Sequence, residues 1–111
     1  MGLTWDFLEF DGAPPTEAEL VEALRTQAGN AEGLEHYGVD GRRVELRCLL
    51  EPVTQPYALR FLAKCGAVLV DRQGGAARPT SWPPYADRPW RSHPWWRRAW
   101  IRLAYRIELL L

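Results

Sequence analysis

The sequence predicts a single domain of α+β class, and three features carry that reading. Thr16-Glu17-Ala18-Glu19 has the spacing of a capping box, in which the Thr hydroxyl and the Glu carboxylate each satisfy a free N–H at a helix start. Asp40-Gly41 separates two runs suited to paired strands, and Gly supplies the positive φ that a tight hairpin needs. From residue 95 onward neither Pro nor Gly occurs, and the apolar residues recur at helical spacing. At 111 residues the chain is long enough for one hydrophobic core and short for two.

The elements follow in order. Residues 4–10 are aromatic and apolar and stop at Asp11-Gly12, which reads as a strand and a turn. A helix runs from the capping box to about Ala28, with Leu20 and Leu24 on its inner face and Gly29-Asn30 as its stop. Residues 34–39 and 43–50 form the hairpin. In its second strand Val44, Leu46, Cys48 and Leu50 alternate with Arg43, Glu45 and Arg47. Glu51-Pro52 ends it. Gln55-Pro56 opens a second helix, since Pro in the first turn gives up no hydrogen bond, and Ala58, Phe61, Leu62 and Cys65 form its expected buried stripe. Gly66 terminates it, and residues 67–70 make a last short strand before Asp71 and Gly74-Gly75.

This succession, strand, helix, strand, strand, helix, strand, resembles the ferredoxin-like fold. The resemblance rests on the order of elements and on no signature residue. It implies a four-stranded antiparallel sheet with strands one and three central and both helices on one face. The domain therefore divides into a ferredoxin-like α+β core, residues 1–75, and a Pro, Trp and Arg-rich extension, residues 76–111. Five prolines should hold residues 78–93 extended over a surface. Beyond them Trp96, Trp100, Leu103, Ile107 and Leu110 share one helical stripe flanked by Arg98, Arg102 and Arg106. That stripe is expected to pack on the core and cover the open sheet face.

Charge is divided between the two parts. Residues 1–71 carry 6 Lys or Arg against 12 Asp or Glu, net −6, and residues 72–111 carry 8 against 2, net +6. A basic tail on an acidic body can neutralise its own chain or meet an acidic partner. Thirteen of the 14 basic residues are Arg, a bias that suits planar contacts and also fits a GC-rich bacterial genome.

Few residues suggest catalysis. His36, in an edge strand, and His93, at a helix start, are the bases available at neutral pH, and both read as surface or capping imidazoles. Cys48 and Cys65 lie on apolar stripes without metal-ligand spacing, so they read as core thiols. Glu9, Asp11, Glu17 and Glu19 span a turn and a helix start, where carboxylates serve the helix dipole without any ion. The sequence calls for no cofactor and no metal.

What stands out is aromatic and cationic. Five of the six tryptophans fall between residues 82 and 100, interleaved with arginine, and these residue types dominate interface hot spots. The first expectation is a non-enzymatic interaction module, an adaptor, inhibitor or immunity-type protein, docking through Trp82, Tyr85, Trp90, Arg91, Trp95, Arg97 and Arg98. Its partner would be another protein or a second copy of the chain. One alternative is a small-molecule binder or enzyme with an aromatic-lined cleft between sheet and tail. Another is a single-stranded nucleic-acid binder that stacks bases on these rings, against which a net charge of zero weighs. Four arginines after residue 96 argue against a membrane span, and the acidic start of the chain argues against a signal peptide, so the cytoplasm is the expected compartment.

Overall fold

The computed structural model describes residues 3–49, 52–73 and 84–110. Four strands, β1 (Leu3–Phe10), β2 (Leu34–Asp40), β3 (Arg43–Leu49) and β4 (Ala67–Gln73), form one antiparallel sheet in the order β2-β3-β1-β4. Helices α1 (Glu17–Gln27) and α2 (Thr54–Lys64) are the crossovers, and α3 (Trp95–Leu110) follows two short 3-10 turns, Pro84–Asp87 and Trp90–Ser92. The sheet order and the central β1 and β3 are those of the ferredoxin-like arrangement expected from the sequence.

Local chemistry explains most boundaries. The Thr16 hydroxyl accepts from the Glu19 amide at 3.2 Å while a Glu19 carboxylate oxygen accepts from the Thr16 amide at 3.2 Å, completing the capping box. The Tyr37 hydroxyl donates to the Pro15 carbonyl at 2.6 Å and ties this helix start to β2. Gly66, at φ 98°, follows α2 in a backbone region that other residues enter at a cost. The hairpin differs in detail from the sequence reading. Asp40 pairs with Arg43, so the two-residue loop is Gly41-Arg42, and Gly41 at φ 62° takes its first position as a type II′ turn requires.

The core lies between the helices and one face of the sheet. Leu8 and Phe10 of β1, Val44, Leu46 and Cys48 of β3, Leu20 and Leu24 of α1, and Tyr57, Ala58, Leu59 and Leu62 of α2 are all buried. Cys65 departs from expectation: it is the residue that caps α2 at its C-terminus, beyond the last buried turn, and is exposed. Among the apolar groups one carboxylate is fully buried. Asp6, on the inner face of β1, receives the Arg72 guanidinium from its cross-strand partner position at 2.6 Å and the Gln55 side-chain amide at 3.4 Å.

Among the described residues no helix packs on the opposite sheet face. Instead its own side chains shield one another: Trp5 stacks on Phe7 with centroids 6.4 Å apart, meets the edge of His36 at 5.5 Å and lies 4.8 Å beneath the Arg47 guanidinium. Glu9 pairs with Arg43 at 3.3 Å beside them. Such cation–π and cross-strand pairs let a sheet face remain open to water.

Removing one member of a buried ion pair strands the other, which costs about 3–5 kcal/mol. Arg72→Met is therefore expected to lower unfolding free energy by about 3 kcal/mol in urea titrations, whereas Arg43→Met, at the exposed pair, should change it by less than about 1 kcal/mol. Equal effects would show that the Asp6 environment is not the low-dielectric site described.

Candidate interaction surface on the C-terminal helix

The 84–93 segment is an aromatic plug. The Tyr85 hydroxyl donates to the Pro52 carbonyl at 3.0 Å, and the Tyr57 hydroxyl donates to the Arg88 carbonyl at 2.7 Å, so α2 holds the segment by its backbone. Trp90 and His93 are buried against Tyr85, with ring centroids 6.2 to 6.4 Å apart, and His93 Nε2 donates to the Tyr85 carbonyl at 2.9 Å. Arg60 of α2 pairs with Asp87. The prolines do not keep this part extended. Pro89 instead precedes a 3-10 turn closed by Ser92, whose amide and hydroxyl both donate to the Pro89 carbonyl.

Pro94 then starts α3, whose first turn is closed by the amides of Arg97 and Arg98 on the Pro94 carbonyl. The helix meets the body through Ile101, packed against the core, through Tyr105, and through Arg102, whose guanidinium lies 5.4 Å from the Trp90 ring. The Tyr105 hydroxyl donates to Gln55 Oε1 at 3.3 Å, which joins α3 to the Asp6 network. At 3.6 residues per turn, Ile101 and Tyr105 lie about 140° and 180° around the helix from Trp96. The stripe therefore faces away from the body: Trp96 is 54% exposed, Trp100 63%, Leu103 48% and Ile107 50%.

This reverses the expected orientation of α3. Its stripe does not cover the open sheet face, because the plug that precedes it seats Trp90 and His93 on the α2 side of the sheet, and Pro94 follows directly. The helix stays on that side and presents its polar-headed face, Arg98, Ile101 and Tyr105, to the protein.

The expected site residues separate accordingly. Trp82 lies outside the described residues, as do the Gly74-Gly75 turn, Leu50, Glu51 and residues 78–83 of the extended stretch. Tyr85 is half-buried and Trp90 buried, both as core, although both were expected among the docking residues. His93 is a buried core imidazole and not a surface cap. Arg91 is exposed and lies beside the end of α1, where a Cβ on Gly29 would be 3.5 Å from its Nε. A cation there suits the helix dipole. Trp95, 75% exposed, and Arg97 are open to solvent, and Arg98 is half-buried. Trp100, Leu103 and Ile107 belong to the same surface and were missed as site residues because helical periodicity marks a stripe as apolar without saying which partner buries it.

The chemistry elsewhere is sparse. Among the described residues no group of three His, Cys, Asp or Glu side chains could hold a metal ion, and no helix is long and apolar enough to cross a membrane. The Cys65 thiol is pushed up by partial burial and by the nearby Glu19 carboxylate, which disfavours the nucleophilic thiolate. No protein-family model matches the chain, and comparison with curated proteins finds no relative.

Two outcomes test this division of the aromatics. Trp90→Ala should cost about 3–5 kcal/mol of stability, while Trp100→Ser should change it by less than about 0.5 kcal/mol, as read from urea unfolding. Burial pushes the Tyr57 hydroxyl, like that of Tyr37, from 10.0 up to about 12. The folded state then keeps a proton that the unfolded state loses, so these hydroxyls' contribution to stability is constant below pH 10 and falls as pH rises toward about 12. Tyr57→Phe should flatten that fall; an unchanged slope would show that the hydroxyl is not held in its buried, hydrogen-bonded place.

Proposed function

We propose that this chain is a small, non-enzymatic cytoplasmic interaction module that docks onto another protein chain through the outward stripe of α3. The observation that carries this reading is the two-sidedness of α3. Ile101 and Tyr105 already hold it to the body, yet Trp96, Trp100, Leu103 and Ile107 stand about half exposed on the opposite side. Single exposed apolar residues are ordinary on a protein surface, but a contiguous stripe of four, with Trp95 beside it, is the pattern of an interaction surface. Their i, i+4, i+7, i+11 spacing is that of a helix laid into a groove, with Trp as anchor and Arg97 and Arg106 as flanking cations.

Site-specific photo-crosslinking in the producing cells tests it. A photoreactive residue at position 100 or 103 should give discrete protein adducts that disappear when Ile107→Arg is added, and the same residue at Arg42, on the hairpin loop, should give none. Absence of protein adducts at positions 100 and 103, or adducts to lipid alone, would overturn the reading.

A further inference from the structure

We infer that the chain docking onto the α3 stripe is a second copy of this protein, each copy laying its α3 into the groove between α1 and α2 of the other. This rests on the docking role of the stripe proposed above and adds what occupies it. The groove is an open depression of about 680 Å³ on the helix layer, with Ala18 and Ala23 of α1 and Tyr57 and Phe61 of α2 along its floor. That volume is in the range that seats several large side chains. Three features of the chain match the stripe to it.

Length is the first. The groove is lined from Ala18 to Gln27 along α1, a rise of about 14 Å, and the rise from Trp96 to Ile107 is about 16 Å. Polarity comes second: an apolar floor meets indole and aliphatic side chains, which gain by leaving water. Charge is the third. The α1 wall presents Glu19 and Glu22; of the two cations on the α2 wall, Arg60 is already paired with Asp87, which leaves Lys64 at the end of α2. Opposite Glu19 and Glu22 α3 would bring Arg97 and Arg106, exposed cations from the part of the chain that is net +6, to a wall from the part that is net −6. Two α3 stripes packed on each other would instead bring like charges together, which disfavours that pairing. A helix cannot fill the groove of its own chain, because Ile101 and Tyr105 hold the stripe facing outward. A contact between two unlike surfaces either propagates or closes, and reciprocal exchange closes it as a dimer.

Sedimentation equilibrium of the full chain tests the assignment. Wild type should be a dimer at micromolar concentration, weakening with added salt. Trp100→Glu, which removes the helix contact, and Ala23→Arg, which fills the groove, should each give monomers that still unfold cooperatively in urea. Mixing the two variants should give a heterodimer, weaker than the wild-type dimer, through the one helix and one groove left intact. Wild type that stays monomeric at its highest soluble concentration would overturn the second-copy assignment. Protein adducts at position 100 would then keep the docking reading alive with a different partner. Dimers lost in Trp100→Glu but unaffected by Ala23→Arg would assign the contact to α3 against α3 and overturn the groove. Monomeric wild type that sediments with phosphatidylglycerol vesicles, and fails to do so as Trp100→Glu, would assign the stripe to a lipid surface and overturn both readings.

Discussion

A buried carboxylate organises this small protein. Asp6 sits at 0% exposure on the central strand β1, where an unpaired charge would cost many kcal/mol, and its position is tolerable only because other elements bring partners to it. Arg72 reaches it from β4, Gln55 from the first turn of α2, and Tyr105 of α3 closes the chain through Gln55. A paired buried charge roughly breaks even in stability against a well-packed apolar alternative, so its contribution here is specificity. Slipping β4 by one residue would turn Arg72 to the outer face and leave Asp6 alone, which fixes the register of an edge strand that already carries a bulge opposite Phe7 and Leu8. The same bonds set where α2 begins and where α3 lies.

The aromatic plug works with that network. Tyr57 and Tyr85 satisfy backbone carbonyls of Pro52 and Arg88 that a loop over the core would otherwise bury without donors. Trp90 and His93 then complete the packing beside α2. Because the plug is anchored at both hydroxyls, the chain leaves it at a fixed place, and the entry to α3 is decided before the helix's own apolar pattern has any influence.

The core elements were legible in the sequence because their signals are local. Thr16 and Glu19, Gly41 and Gly66, and the alternation in β3 each act within a few residues, and together they give the order of strands and helices. The placement of α3 was not legible, for two reasons. Its contact face is Arg98, Ile101 and Tyr105, in which only Ile101 is purely apolar, so a hydrophobic reading selects the opposite side. What holds that face is a hydrogen bond to Gln55, 50 residues away in the chain, and nothing in a periodicity records such a partner. The burial of His93 and Trp90 was hidden similarly: neighbouring prolines suggested an exposed extended strap, whereas the 3-10 turns they permit fold it inward. Of the expected site, Trp95 and Arg97 lie on an open surface, Tyr85 and Trp90 turned out to be core, and the remaining anchors were visible as a stripe but assigned inward.

The outward stripe also constrains what kind of contact can use it. Fully burying a large apolar side chain is worth about 1.5–3 kcal/mol, but these residues are already about half covered, so the remaining gain from each is nearer half of that. Association itself costs about 4–15 kcal/mol in lost translational and rotational freedom. One stripe in one groove therefore sits near the margin. Two such contacts formed in a closed pair double the burial while that loss is incurred once. The presence of an apolar stripe and an apolar-floored groove of similar length on a single chain thus favours a reciprocal pair over a single one-sided contact.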